Sequence, residues 1–195
     1  MLILLLMLGS CSDESLLAPL PGNAVILAFG DSLTAGNGVS AGQSYPEQLS
    51  GLLNRTVINA GISGEESGQG RERLAALLDQ HRPQILLLCH GGNDLLRKRP
   101  LSQLEDNLRT MIAMARERGI EVILLGVPAP GIFLSAHELY GEVATSTSTL
   151  FIEDVIADVL QYPGLKSDAV HPNGQGYAQI ATEIRDALEE WGAIE

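Results

Sequence analysis

Short apolar runs alternate with longer amphipathic stretches along most of this chain. Each run holds only three to six residues and is followed by polar residues or glycine. Such runs, separated by stretches with an apolar residue at every third or fourth position, are typical of a parallel sheet whose strands are joined by helices. We therefore predict five strands, at residues 24–29, 56–59, 84–89, 121–126 and 150–152.

The amphipathic stretches predict the helices, at residues 43–53, 70–81, 102–118 and 174–190. Ser102 is the expected N-cap of the third helix, with Glu105 as its capping-box partner and Gly119 as the residue that ends it. The Ser/Thr repeat at residues 144–149 is expected to form a loop before the fifth strand. The whole pattern predicts one α/β domain, a three-layer α/β/α sandwich around a central, mostly parallel five-stranded sheet.

The N-terminal segment does not follow this pattern. Residues 2–8 form an unbroken apolar run that is too short to span a bilayer, for which about 20 residues are needed, but long enough for a signal peptide. The run ends in Leu-Gly-Ser-Cys, which resembles a bacterial lipobox with Cys11 as the lipidated residue, although no Lys or Arg occurs before Arg55. We expect residues 1–22 to be a signal peptide with a tether, and residues 23–195 to be the folded domain. The alternative is a buried N-terminal strand with a chance cysteine.

Composition narrows the possible partners. Twelve Lys and Arg against 24 Asp and Glu give a formal net charge of -12, which repels nucleic acid backbones and excludes docking on membranes through a basic patch. The two cysteines, Cys11 and Cys89, are not in a zinc-binding spacing, and the four histidines are scattered. We therefore expect no metal, no cofactor and no nucleic acid partner.

Candidate catalytic residues lie where predicted strands end, which is where parallel sheets bind ligands. Ser32 follows the first predicted strand, in Gly-Asp-Ser-Leu at residues 30–33. A serine hydroxyl is a weak nucleophile unless a base removes its proton. Asp168 and His171 lie three positions apart, so the carboxylate can orient the imidazole through Nδ1 and leave Nε2 to face the serine. We expect these three residues to form a catalytic triad.

Acyl transfer also needs hydrogen-bond donors for the oxyanion that develops in the transition state. The turn at residues 59–64 follows the second predicted strand, and its glycines would let a backbone N–H approach a substrate closely. Asn93 follows the third strand in Gly-Gly-Asn-Asp and could add its side-chain amide, next to the backbone N–H of Ser32. His90 lies close to Asn93, but we interpret it as a structural histidine because a base must also reach the serine proton.

With these blocks in place, the chain resembles the SGNH hydrolase (GDSL lipase) superfamily, and most closely its bacterial thioesterase/lysophospholipase and arylesterase branch. The resemblance covers about residues 25–188. It implies a flavodoxin-like sheet, Ser32 as the nucleophile, Asp168 and His171 as its partners, and an oxyanion hole formed by Ser32, Gly64 and Asn93. Two departures stand out: Glu-Glu-Ser at residues 65–67, where the branch often has Asp-Thr-Ser, and Cys-His before the third block.

The resemblance implies a serine esterase for short- to medium-chain acyl esters, including aryl esters, thioesters and lysophospholipids. We expect Leu95, Leu96, Ile132 and Phe133 to contact the acyl chain or, equally, to close the edge of the core. The expected protein is an exported monomer or weak oligomer, periplasmic or attached to a bacterial membrane through Cys11. Two alternatives remain open: a carbohydrate O-acetyl esterase on the same fold, and a surface lipoprotein that binds a ligand without turning it over.

Overall fold

The computed structural model describes residues 15–129, 131 and 134–195. Its sheet has five strands in the order β2-β1-β3-β4-β5, and every pairing is parallel. The strands are β1 (Val25–Gly30), β2 (Thr56–Gly61), β3 (Ile85–Cys89), β4 (Glu121–Leu125) and β5 (Leu150–Ile152). The predicted three-layer α/β/α fold is confirmed.

The helices cover both faces of this sheet. They are α1 (Ser32–Ala35), α2 (Tyr45–Leu53), α3 (Ser67–His81), α4 (Gly92–Leu96), α5 (Leu101–Arg116), α6 (Glu138–Thr147), α7 (Val155–Leu160) and α8 (Gly174–Glu190), with a 3-10 turn at Pro163–Leu165. From β1 the chain goes first to β2 on one side and later to β3 on the other. Because crossovers between parallel strands are right-handed, α2 and α3 lie on opposite faces, where α2 packs against α8 and α3 against α5.

The central strands lie in the core. All five residues of β3 are buried, as are Ile26 to Gly30 of β1, because helices cover both sides. A strand buried on both faces has a continuous apolar sequence, which is why these strands were visible as unbroken runs. Gly30, the last residue of β1, lies opposite Gly61 of β2 and Cys89 of β3. The carboxyl ends of three strands therefore meet at one level.

Two local predictions were wrong. Helix α5 has Pro100 as its N-cap and begins at Leu101, so Ser102 lies inside the first turn and does not cap it. The Ser/Thr repeat is not all loop, since α6 continues to Thr147. The hydroxyls of Ser146 and Thr147 donate to the carbonyls of Glu142 and Val143 one turn back, a bond that lets such residues stay in a helix.

The end of the predicted tether is docked on the domain. Leu17 is buried, its N–H donates to the Trp191 carbonyl (2.9 Å), and the Leu20 N–H donates to the Ala193 carbonyl (2.8 Å). Burial of the apolar Leu17 side chain favours this docking. Cys11 and its lipobox-like segment lie outside the described residues, and the division at residues 22 and 23 stays a prediction. In the part that is described, no helix is both long and apolar enough to cross a membrane.

Candidate active site

The candidate residues meet at the point where the order of the strands in the sheet reverses. Ser32 follows β1, Gly64 follows β2 and Asn93 follows β3, and all three line one cleft with His171. Strand order reverses at β1, and such switch points leave a crevice between the segments that follow neighbouring strands. The topology therefore brings together residues that are far apart in sequence.

Ser32 begins the single turn of α1. Asp31 caps this turn, since its Oδ1 accepts the backbone N–H of Leu33 at 3.1 Å. Asp31 is buried, and burial raises the pKa of its carboxyl above the ordinary value. The short turn holds Ser32 at the strand end, where it lines the cleft, and the first backbone N–H groups of a helix have no partner within the helix.

The Ser32 hydroxyl is hydrogen-bonded to His171. The distance from His171 Nε2 to Ser32 Oγ is 2.9 Å, and on the other side of the ring His171 Nδ1 lies 2.8 Å from Asp168 Oδ2 and 3.0 Å from Oδ1. With Nδ1–H donating to the carboxylate, Nε2 carries no proton and accepts a hydrogen bond from the Ser32 hydroxyl. The structure thus joins the three predicted residues in one hydrogen-bonded chain.

The segment before α8 fixes the Asp168–His171 pair. Asp168 Oδ1 accepts hydrogen bonds from the backbone N–H groups of Val170 (2.8 Å) and His171 (2.9 Å). These bonds stabilise the turn in which Asp168 itself lies. Burial raises the pKa of Asp168, but these hydrogen bonds and the His171 ring outweigh it and hold the pKa below its ordinary value. The carboxylate therefore stays ionised at neutral pH, as the orientation of an imidazole requires.

Gly64 and Asn93 line the cleft, and each has an N–H hydrogen that no acceptor among the described residues binds. Gly64 has φ +78°, a conformation that favours glycine, and within the described part of the chain no acceptor binds its N–H. One of the two amide hydrogens of Asn93 donates to the Glu65 carbonyl (3.0 Å), which leaves the other for a substrate oxygen. Together with Ser32, they are the three candidate donor residues, and each follows a different strand end.

A second contact ties the same two loops together. Asp94 is buried, and its carboxylate accepts the backbone N–H of Ser67 (2.8 Å) and the Ser67 hydroxyl (2.7 Å). The Asn107 amide of α5 in turn donates to the Ser67 hydroxyl at 2.9 Å. The segments after β2 and β3 are therefore joined at Asn93 and again at the next residue, Asp94.

The cleft has a volume of about 550 Å³. Its apolar lining includes Leu33, Leu96, Val127, Leu134, Leu160 and Val170. Leu96 lines both this cleft and a neighbouring groove, whereas Leu95 is buried and lines only the neighbouring groove, so contact of either residue with an acyl chain stays a prediction. Ile132 and Phe133 lie outside the described residues. A larger groove of about 850 Å³ at the opposite end of the sheet contains none of the candidate residues.

Sequence reasoning missed several residues that shape this site. Leu160, the last residue of α7, and Lys166, just before the Asp168 turn, line the cleft, and no local pattern marked them. Arg73 of α3 contacts Glu65 in the loop after β2, and it is one polar residue among many on an amphipathic helix. Glu65 did carry a signal, since it departs from the usual family block. Among the described residues, no group of three or more His, Cys, Asp or Glu side chains could hold a metal.

Comparison with known proteins agrees with the geometry. The model of the GDSL-like lipase/acylhydrolase family matches residues 28–179, which is more than half of the chain and contains all of the triad and oxyanion candidates. The chain belongs to this family. It is accordingly a carboxylic ester hydrolase, and the predicted resemblance is confirmed.

Individual relatives fit the same assignment. The chain is 32% identical to "Esterase TesA" of Pseudomonas aeruginosa over 86% of this chain and 89% of that protein. It is also 32% identical to "Thioesterase 1/protease 1/lysophospholipase L1" of Escherichia coli K12, over 84% of this chain and 83% of the other. A crystal structure of the psychrotrophic esterase EstA from Pseudoalteromonas, inhibited by monoethylphosphonate, superimposes with a TM-score of 0.77 at 25% identity, covering 87% of this chain and 98% of that one.

Proposed function

We propose that this chain hydrolyses short- to medium-chain acyl esters through a covalent acyl intermediate on Ser32. The observation that carries the proposal is the unbroken chain of hydrogen bonds from Asp168 through His171 to Ser32 Oγ, in a cleft that Gly64 and Asn93 also line. A nucleophile, an oriented base and an oxyanion site are the groups that acyl transfer requires.

Acylation begins when Ser32 Oγ attacks the ester carbonyl carbon and His171 Nε2 takes the hydroxyl proton. The carbonyl oxygen becomes an oxyanion and accepts hydrogen bonds from the N–H groups of Ser32, Gly64 and the Asn93 amide. The imidazolium that forms is stabilised by Asp168 through Nδ1–H. When the tetrahedral intermediate collapses, the bond to the alcohol breaks, and His171 returns its proton to the departing oxygen.

Deacylation repeats these steps with water in place of serine. His171 removes a proton from the water as its oxygen attacks the acyl carbon, and the same donors hold the second oxyanion. Collapse breaks the bond to Ser32 Oγ, which regains its proton from His171, and the carboxylic acid leaves. The cycle balances with the residues present and one water molecule.

The cleft supports an acyl chain of limited length. Its volume of about 550 Å³ lies within the usual range of roughly 300–1,000 Å³ for small-molecule sites, and its lining combines aliphatic residues with polar ones such as Asn37 and Gln161. Lys166 is the one lysine or arginine among the residues that line the described cleft. An ester of a short- to medium-chain acyl group with a small alcohol, thiol or phenol fits a cleft of this volume.

A substrate panel tests the proposal. p-Nitrophenyl esters from acetyl to palmitoyl should give the highest kcat/KM at short to medium chain length, while acetylated xylan should be hydrolysed poorly. Thioesters and lysophospholipids belong in the same panel. A fluorophosphonate should label wild-type protein at Ser32 and leave Ser32→Ala unlabelled. Preference for acetylated xylan would favour the carbohydrate esterase, and a wild-type protein that neither labels nor turns over would favour the non-catalytic binder.

We also propose that the chain is exported and attached to a membrane through lipidated Cys11. The support is the apolar run at residues 2–8 followed by Leu-Gly-Ser-Cys. A single acyl chain binds membranes only marginally, so firm attachment requires several chains on the cysteine. Full-length protein expressed in a bacterium should enter the membrane fraction and lose residues 1–10. Soluble protein that keeps its initiating Met would contradict this proposal.

A further inference from the structure

A cluster of polar side chains lies outside the cleft, next to the loop after β2 that contains Gly64. It consists of His90, Glu65 and Arg73, whose side chains are 0%, 6% and 23% exposed. Arg73 Nε donates to Glu65 Oε1 at 2.7 Å, and Arg73 Nη2 donates to Oε2 at 2.6 Å. His90 Nε2 lies 3.1 Å from Oε2. The carboxylate is thus held from two sides by groups on α3 and after β3.

The hydrogen bonds of His90 define its role in this cluster. The backbone N–H of Gly91 donates to His90 Nδ1 at 2.9 Å, so Nδ1 carries no proton. The ring proton lies on Nε2 and is donated to Glu65. His90 is fully buried and does not line the cleft, so it cannot reach the Ser32 proton. It acts as a fixed donor to Glu65.

The cluster contacts every loop that supplies an oxyanion donor. Glu65 directly follows Gly64, and its carbonyl accepts the Asn93 amide at 3.0 Å. Arg73 Nη2 also donates to the carbonyls of Ala60 (2.9 Å) and Gly30 (3.3 Å), at the ends of β2 and β1. The Arg73 guanidinium lies 4.1 Å from the centre of the Phe29 ring, which fixes its plane. The segments leading to Ser32, Gly64 and Asn93 are therefore joined through one buried carboxylate.

We propose that His90, Glu65 and Arg73 form a positioning network that sets the geometry of the Gly64 and Asn93 donors. Oxyanion donors act only when they lie within hydrogen-bond distance of the position that the oxyanion will occupy. Loss of the His90 donor leaves Glu65 free to turn toward Arg73 alone. This turn moves the Gly64–Glu65 peptide and, through the Glu65 carbonyl, the Asn93 amide. The inference rests on the proposed function, since it concerns the same oxyanion hole.

The first variants remove and restore the His90 donor. His90→Leu should lower kcat about 10- to 100-fold, because a misplacement on the order of 1 Å costs up to about 100-fold. KM should change less than about two-fold, since the network does not contact the cleft. His90→Gln should recover most of kcat, because a glutamine amide can donate from the position of Nε2. Leu78→Ala, at the far end of α3, is the control for lost stability and should keep the wild-type kcat.

A structural readout separates this proposal from the proposed function. In NMR spectra, His90→Leu should shift the Gly64 backbone amide and the Asn93 side-chain amide, whereas Leu78→Ala should leave both unchanged. If the wild-type protein hydrolyses no ester but these resonances shift, the proposed function fails and the network stands. If the wild-type protein is active and His90→Leu keeps both its kcat and its resonances, the network fails alone.

A further variant covers the case in which His90→Leu does not fold. Gly70 of α3 lies against the His90 ring, and a Cβ at that position would lie 2.4 Å from Nε2. Gly70→Ala therefore displaces the ring while every polar group is retained. It should lower kcat and shift the same two amides. Wild-type kcat with unchanged amides in Gly70→Ala would overturn the proposal.

Discussion

The two halves of the candidate site are built differently. On the oxyanion side, His90, Glu65 and Asp94 are buried and connect the ends of three strands with α3 and α5. On the acid–base side, the Asp168 side chain is 53% exposed and the His171 side chain 17% exposed. Apart from the bond to Ser32, the hydrogen bonds that hold this pair come from the turn itself and from its neighbours.

This difference separates two kinds of residue contribution. A buried, long-range network must form as the sheet folds, so changes in it should affect folding and catalysis together. An exposed turn closed by local bonds contributes little to folding, so changes in it should affect catalysis alone. The comparison thus predicts which substitutions give stable but inactive protein and which give protein that is both slower and less stable.

The largest effect is expected where the halves meet, at Ser32. Ser32→Ala should lower kcat by a factor on the order of 10⁶, because the covalent route is lost. His171→Ala should cost about as much, and the double variant should be no worse, since the two residues act as one unit. Thermal unfolding should change little in either. Ser32→Ala turnover that stays near the wild-type rate would show that another group is the nucleophile.

Asp168→Ala tests the exposed half. The variant should lose about 10³–10⁴ in kcat, because the imidazole is no longer held in its tautomer. Its free energy of unfolding should fall by less than about 1 kcal/mol, as for other exposed positions. Steady-state assays measure kcat, and urea titrations of the same preparation measure the free energy of unfolding. A variant that unfolds readily would show that the turn is part of the folding core and would remove the distinction between the halves.

Asn93→Ala tests the buried half. Loss of one oxyanion donor should lower kcat about 10²–10³-fold with little change in KM. In contrast to Asp168→Ala, it should also destabilise the fold by about 1 kcal/mol, since its bond to the Glu65 carbonyl is lost. Fluorophosphonate labelling should slow but persist. A rise in KM alone, with the wild-type kcat, would make Asn93 a substrate-positioning residue.

The same difference explains which parts of the fold and of the candidate site could be predicted from the sequence alone. The central strands β1 and β3 were visible because buried parallel strands are continuous apolar runs. The triad was visible because Asp168 and His171 lie close together in sequence. The His90–Glu65–Arg73 cluster was not visible, since Arg73 lies among other polar residues on α3 and meets Glu65 only in the folded chain. Leu160 and Lys166 could not be predicted for the same reason, since they reach the cleft only in the folded chain. Helix α6 was missed because its Ser/Thr residues form side-chain bonds within the helix that no periodicity indicates.

In the buried half, Glu65 should make the free energy of unfolding depend on pH in acid. Burial raises the pKa of Glu65, but hydrogen bonds from His90 and Arg73 outweigh it, so the pKa lies below the ordinary value of 4.5. A carboxyl with a lowered pKa stabilises the fold fully above that ordinary value and loses this contribution as the pH falls through its folded pKa. Urea titrations should therefore show a steeper loss of stability below about pH 4.5 in wild-type protein than in Glu65→Gln. Glu72→Gln, exposed on α3, is the matched control. Equal acid profiles in all three proteins would contradict the prediction.

The smallest expected effect is on thermal stability, when alanine replaces either of two helical glycines. Replacing glycine by alanine inside a helix ordinarily stabilises a protein by about 0.5–1 kcal/mol. Gly51 of α2 has no atom within 4 Å of the position a Cβ would take, so Gly51→Ala should show this gain. Gly70→Ala should show the opposite, because its Cβ would lie 2.4 Å from His90 Nε2 and 2.8 Å from Cδ2. Overpacking costs about 1–3 kcal/mol, which exceeds the helical gain, so melting temperatures should move in opposite directions. If Gly70→Ala stabilises the protein as Gly51→Ala does, the His90 ring can move aside freely, and the buried half is less rigid than its hydrogen bonds indicate.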